Sequence, residues 1–255
     1  YTISEAWLDR VQEVLDYAVD DDMYVILNIH HDTDKEYCYP DKEHLEQSLS
    51  YMTFIWEQLA DRFGDYDEQV IFESINEPRL VETDHEWWLD MNAAECVEAV
   101  ECINEWNQNF VDVVRKTGGN NATRYLMVPG YDASADGVLN DKFVLPTDTA
   151  ENEGKILVSV HAYIPYHFAL QAATENESID QFNASEKTST NDIDQMMEKL
   201  YAKYISNEIP VVIGEFGARD KNGNLQSRVD YAAYYIAAAR AYGMSCNWWD
   251  NNAFT

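Results

Sequence analysis

Two glutamates stand where apolar, strand-like runs end. Glu77 lies in Ser74-Ile75-Asn76-Glu77-Pro78 after Val70-Ile71-Phe72, and Glu215 lies in Ile213-Gly214-Glu215-Phe216-Gly217 after Pro210-Val211-Val212. Two carboxyl groups so placed suit cleavage of a glycosidic bond. One, protonated, gives a proton to the leaving oxygen, and the other, ionised, meets the positive charge that develops at the sugar carbon. A glutamate near a strand end is more often a solvated loop charge. The neighbours argue against that here: Asn76 supplies a neutral hydrogen-bonding group, Pro78 fixes the exit of the chain, and Gly214 and Gly217 let backbone and ligand approach Glu215. The carboxyl ends of parallel strands are also where barrel enzymes keep their chemistry.

Other strand-like runs end in polar and aromatic residues. His30-His31-Asp32 follows residues 23–29, His161-Ala162-Tyr163 follows 155–160, and the run 244–249, which carries Trp248 and Trp249, closes on Asp250-Asn251-Asn252. His161 and Tyr163, two residues apart, share one face of an extended chain. The Tyr163 hydroxyl either meets Glu215 or is a core phenol, and His31 either lines a pocket or braces its loop. Only one of Trp248 and Trp249 can face a bound sugar. Trp87 and Trp88 are either outer sugar platforms or loop packing. Adjacent histidines on a strand point to opposite faces, so His30, His31, Asp32 and His161 cannot easily share one ion; neither a metal nor a cofactor is expected. A carbohydrate-binding protein without turnover could keep the indoles, yet it needs no paired carboxylates.

These residues must be positioned by alternating elements. Thr2 to Glu5 fits a capping box, and Trp7, Leu8, Val11, Val14, Leu15 and Ala18 recur at helical spacing. Further helices are expected over 45–63, 97–116, from the end of a polar loop at 174–191 to 206, and over 229–242. Strands are centred on Ile26, Phe72, Leu126, Leu157, Val212 and Asn247. Strands alternating with helices imply parallel βα units, hence an α/β fold of the TIM (β/α)8-barrel type with six units evident.

At 255 residues and 46% hydrophobic composition the chain can bury one large core, and a single domain over 1–255 is expected. A net charge of −30 argues against nucleic acid and anionic membrane as partners. Aromatic residues, at 13%, are ample for stacking on sugar rings. No apolar run reaches the roughly 18 residues a bilayer requires, and residues 1–20 lack the basic and apolar segments expected of a signal peptide. Cys38, Cys96, Cys102 and Cys246 show no CxxC spacing and read as buried thiols. Asn121-Ala122-Thr123, Asn176-Glu177-Ser178 and Asn183-Ala184-Ser185 match the N-glycosylation pattern, so a secreted protein is expected.

The stretches LNIHHD, FESINEP, VSVHAYIPYHFAL, VVIGEFGA and NWWDN, in that order and at strand ends, resemble glycoside hydrolase family 5, most closely its endo-β-1,4-glucanase subfamily 4. The resemblance runs from Thr2 to Asn252. It implies Glu77 as acid/base and Glu215 as nucleophile of a retaining enzyme, with carboxylates roughly 5 to 5.5 Å apart. Asn76 then holds the sugar 2-hydroxyl, His30 and His31 line the pocket, His161 and Tyr163 flank the nucleophile, and Trp248 and Trp249 supply the aromatic floor. The implied substrate is a β-1,4-glucan, with mannan or xylan as the alternative, and a cellulosome or carbohydrate-binding module would lie outside these residues. The family barrel has two strands and a helix before the element that opens this chain, an arginine from the second strand, and a closing helix; nothing here matches them. Six strands are therefore expected, with an open seam between those at Met23 and Met244 that needs covering, and weak activity from the isolated monomer.

Overall fold

The computed structural model describes residues 1–250. Its helices are α1 (Glu5–Asp20), α2 (Leu45–Arg62), α3 (Ala94–Lys116), α4 (Ala135–Leu139), α5 (Tyr166–Ala169), α6 (Lys187–Lys203) and α7 (Leu225–Ala241). Its strands are β1 (Val25–Asn28), β2 (Val70–Glu73), β3 (Leu126–Pro129), β4 (Ile156–His161), β5 (Val211–Phe216) and β6 (Ser245–Trp248), six among the described residues as the apolar runs predict. By contact the chain divides into two compact units, Tyr1–Val158 and Ser159–Thr255, with the boundary inside β4.

In the first unit β1, β2 and β3 lie side by side in chain order and run parallel, with Val25 opposite Val70 and Phe72 opposite Leu126. Leu126 N–H donates to Lys155 O at 2.9 Å, beside the start of β4. β2 and β3 are buried throughout, whereas all four residues of β1 are half-buried. Trp7, Val14 and Tyr17 of α1 and the adjoining Met23 and Tyr24, which lead into β1, are exposed. The α1 cap differs from the capping box read from Thr2. Ser4 is the N-cap, and its hydroxyl accepts from Trp7 N–H at 3.3 Å, while Ile3 N–H is taken by Gln58.

Helices α2 and α3 carry apolar faces that meet through Trp56 and Phe110, ring centroids 4.6 Å apart. They also hold the exits of the strands. Trp56 Nε1 donates to Ser74 O at 2.9 Å, Ser74 Oγ donates to Asn107 Oδ1 at 2.7 Å, and Asn107 Nδ2 donates to Pro129 O at 2.8 Å. A buried polar set thus fixes the chain three residues before Glu77.

At the opposite end of β2 the Arg124 guanidinium, only 2% exposed, lies over the Phe72 ring at 4.5 Å. It donates to the carbonyls of Val70 and Tyr66, both at 2.6 Å, to Asp67 O at 2.8 Å and to Asn121 Oδ1 at 2.7 Å. Burial lowers its pKa to about 10, so it remains charged at neutral pH. Arg124→Met strands these acceptors in the core. A loss of about 3 kcal/mol is expected, read as a fall of roughly 10 °C in apparent melting temperature; an unchanged melt would contradict it. Asn121 is buried too, its amide donating to Ala60 O at 2.8 Å, which closes the first sequon to glycan in the folded chain.

In the second unit β4, β5 and β6 follow in order, and β6 runs parallel to β5 with a register shift between Ile213 and Phe216. β6 has β5 as its one strand neighbour among the described residues. Phe216 stacks on Tyr235 of α7 at 4.3 Å and 16°, and Tyr231 packs against Phe168, Phe182 and Phe216. Tyr235 Oη donates to Ala162 O at 3.1 Å, tying α7 to the exit of β4. Helix α6 begins at Lys187, inside the stretch expected to be loop, because its polar first turn is stabilised by local bonds such as Ser189 N–H to Glu186 O. All four cysteines are free.

Among the described residues no helix is long and apolar enough to cross a membrane.

Candidate active site

The main chain around Glu77 is held on both sides. Ser74 N–H donates to Met127 O at 3.0 Å and Asn76 N–H to Ile29 O at 2.9 Å, so ladder bonds continue past the end of β2. Asn28, opposite Glu73 in register, donates Nδ2 to the Glu73 carboxylate at 2.7 Å and lies 3.4 Å from Asn76 Oδ1. Glu73 and Asn76 are buried, and this chain of contacts fixes the side chain directly before Glu77.

Glu77 is half-buried. Arg79 Nη1 donates to Glu77 O at 2.9 Å and lies 3.7 Å from Glu77 Oε2, while Arg79 Nε is 3.4 Å from Glu86 Oε1. The same guanidinium sits over the Trp87 ring at 4.0 Å, so one cation joins the exposed indole to the glutamate loop. Tyr131 anchors that loop from beneath, accepting from Leu80 N–H at 3.0 Å and donating to His85 O at 2.6 Å. Trp88 is 65% exposed.

After β1, the rings of half-buried His30 and exposed His31 meet edge to face at 4.6 Å. Asp32 accepts the Tyr51 hydroxyl at 2.5 Å, which makes it a brace for this turn. Asp41, Glu43 and His44 could bring ligand atoms within 4.8 Å of one another. His44 already bonds Asp41 through Nδ1 at 2.7 Å and through its N–H at 2.8 Å, which accounts for the group as the turn that starts α2.

In the second unit Glu215 is 8% exposed at the end of β5. Tyr163 Oη donates to its Oε2 at 2.5 Å, and His161 Nδ1 lies 3.7 Å from its Oε1. The two residues that share a face of the β4 exit thus reach the two oxygens of one carboxylate, and Ala162 N–H between them donates to Glu215 O at 2.9 Å. A Cβ at Gly214 would stand 2.9 Å from His161 Nε2 and 3.3 Å from Ser159 Oγ, so any side chain there would push the His161 ring from its place beside Glu215. Above Gly217 the same construction meets Tyr163 Cε1 at 3.6 Å and Trp248 Cε2 at 3.9 Å, so this glycine leaves room between a phenol and an indole. Trp248 is half-buried, edge-on to Phe216 at 5.3 Å, and Trp249 N–H donates to Phe216 O at 2.8 Å.

The sequence pattern described as Cellulase (glycosyl hydrolase family 5) matches residues 1–255. The chain belongs to glycosyl hydrolase family 5. Endoglucanase B of Ruminococcus albus is 41% identical over 253 residues, 99% of this chain and 56% of the relative. A family 5 lichenase from Caldicellulosiruptor sp. F32, whose structure is also known with cellotetraose, is 58% identical with a TM-score of 0.98 over 100% of this chain and 68% of that one. A family 5 xyloglucanase from Paenibacillus pabuli is 32% identical, TM-score 0.85, over 98% of this chain and 73% of that one. This chain spans 50 to 57% of the length of the first three curated relatives it matches.

The fold is accordingly that of the family's TIM-barrel class, with six parallel strands among the described residues. Of the residues expected at the site, the family 5 chain joins Glu215, His161 and Tyr163 directly, with Trp248 beside Tyr163 and Trp249 next along the chain. It sets Asn76, through Asn28, beside Glu77's segment, and His30 and His31 at the exit of β1. Asn28 and Glu73 went unnoticed in the sequence. The available signal was a carboxylate ending the otherwise apolar Val70-Ile71-Phe72-Glu73 and an asparagine at the matching end of the neighbouring apolar run.

Proposed function

We propose that this family 5 chain cleaves β-1,4-linked glucans internally by a two-step, retaining mechanism. The observation that carries the reading is Glu215 with one oxygen bonded by the Tyr163 hydroxyl at 2.5 Å and the other 3.7 Å from His161 Nδ1, beside Gly214, where a Cβ would crowd the His161 ring. In the first step Glu215 attacks the anomeric carbon while Glu77 protonates the departing glycosidic oxygen, which leaves a covalent glycosyl ester on Glu215. In the second, Glu77, now ionised, takes a proton from water as the water oxygen displaces Glu215 from the sugar. Both glutamates end in their starting protonation states. Asn76 is assigned to the sugar 2-hydroxyl, His30 and His31 to the pocket wall, and Trp248 and Trp249 to the stacking surface.

The relatives named an endoglucanase, a lichenase and a xyloglucanase support a β-glucan backbone as substrate. The same reading puts the chain outside the cell beside its polymer, with any dockerin or carbohydrate-binding module carried on sequence other than these residues. Reducing-end release, weak from the isolated chain, should rise above background on carboxymethyl-cellulose, barley β-glucan or xyloglucan and stay at background on mannan and xylan. Preferential cleavage of mannan or xylan would replace the substrate, and no cleavage of any of the five would overturn the activity.

A further inference from the structure

Lys221, in the loop between β5 and α7, is 1% exposed, yet its ammonium bonds main-chain carbonyls rather than a carboxylate. Its Nζ donates to His167 O at 2.6 Å and to Ile179 O at 3.1 Å. Burying a cation without a counter-ion is costly, and burial does lower its pKa, with Arg219 adding to the effect against Asp180 and Glu175. An apolar side chain would fill the space at less expense, so the carbonyl bonds themselves call for explanation.

They belong to a set that joins two loops. From the loop after β5, Arg219 N–H donates to Ala169 O at 3.0 Å and Arg219 Nη1 to Leu170 O at 3.1 Å. Asn224 Nδ2 donates to Asp180 O at 3.0 Å, and Asn224 Oδ1 accepts Lys221 N–H at 3.0 Å. The acceptors of Arg219, Lys221 and Asn224 across the gap are all main-chain carbonyls of the segment that leaves β4, and Asn222 Nδ2 adds a bond to the Asp180 carboxylate at 3.2 Å. Lys221 reaches deepest and bonds both ends of the 167–179 excursion, whose ends also meet through Ile179 N–H to His167 O at 2.9 Å. Tyr163 begins this β4 loop, and Glu215 stands just before the β5 loop. At the strand ends the two loops are already joined by Ala162 N–H to Glu215 O. The lysine supplies the far attachment, so the Tyr163 segment is held on both sides.

We propose that Lys221 is a positioning residue of the hydrolytic site: its ammonium clasps the loop leaving β4 to the loop leaving β5 and so keeps the Tyr163 hydroxyl on Glu215. The inference rests on Glu215 being the nucleophile. Its consequence is non-additivity. If Lys221 acts through Tyr163, loss of the clasp and loss of the hydroxyl remove the same interaction.

The test is a double-mutant cycle on kcat with an aryl cellobioside, using the full chain. Lys221→Met and Tyr163→Phe should each lower kcat about tenfold, and the double variant should also sit about tenfold below the parent rather than a hundredfold. The Ile179 amide should exchange with solvent faster in Lys221→Met, while the apparent melting temperature stays within a few degrees. Should Lys221→Met fail to fold, Asn224→Ala loosens the same clasp, and about a threefold loss that vanishes in the Tyr163→Phe background is then expected. Losses that multiply, or parental kcat in the clasp variant, overturn the proposal. Turnover by the unmodified chain tests the hydrolase reading alone, and the cycle tests the clasp alone.

Discussion

Glu215→Gln should reduce kcat on barley β-glucan by roughly ten-thousand-fold or more while leaving cello-oligosaccharide affinity within a few-fold. The amide has nearly the shape of the carboxylate, so Tyr163 and His161 keep a neighbour at 2.5 and 3.7 Å, and Gly214 and Gly217 still leave their space. What disappears is the oxygen nucleophile. Without it no glycosyl ester forms, and the barrier returns toward direct attack by water. Binding is expected to survive because stacking and hydroxyl contacts come from other side chains. Calorimetry with cellotetraose and a reducing-sugar assay separate the two effects. A mechanism-based inhibitor that traps the ester adds a covalent mass to the parent on the peptide containing Glu215 and none to the variant. Residual activity above about one per cent of the parent would remove Glu215 from the nucleophile's role.

What the sequence made legible follows from what periodicity can detect. Runs such as Val70-Ile71-Phe72 and Val211-Val212-Ile213 are buried on both faces, so their apolar character is continuous and the residues that end them stand out. Helix starts were less legible. Leu225 to Arg228 begin α7 ahead of the expected Val229, and Leu225 is exposed, so the first turn carries no apolar stripe to read. Lys187 to Thr190 look like loop because serine, threonine and lysine are common in both loops and first turns. The largest omissions were Arg124, Lys221, Asn28 and Asn107. Arg124, Lys221 and Asn107 are buried and Asn28 is half-buried, and each has partners far along the chain, as with Arg124 and the Val70 carbonyl 54 residues away or Asn28 and the Glu73 carboxylate 45 residues away. No local spacing encodes such a partner. It exists only once strands are in register, and so the groups that brace the site remained hidden while the glutamates did not.

Glu77→Ala should show a loss that depends on the leaving group. On β-glucan the departing sugar alkoxide is a poor leaving group and needs its proton in the transition state, so kcat/KM should fall by about a thousandfold. An aryl cellobioside with an acidic phenol leaves without that help, so the first step should be nearly unimpaired. The second step still lacks its base, and the glycosyl ester on Glu215 should accumulate, visible as a burst of phenol followed by slow turnover. Azide, already anionic, needs no base; entering the space left by the side chain, it should accelerate the slow phase and yield a glycosyl azide of retained configuration. The basic limb of the pH profile should flatten in the same variant, since the proton whose loss ends activity in the parent is gone. Arg79, with Nη1 3.7 Å from Glu77 Oε2, stays in place beside an alanine, and its contacts with Glu86 and Trp87 keep the loop's shape. Equal losses on glucan and on the aryl substrate, with no azide effect, would mean that Glu77 only shapes the site and that another group carries the proton.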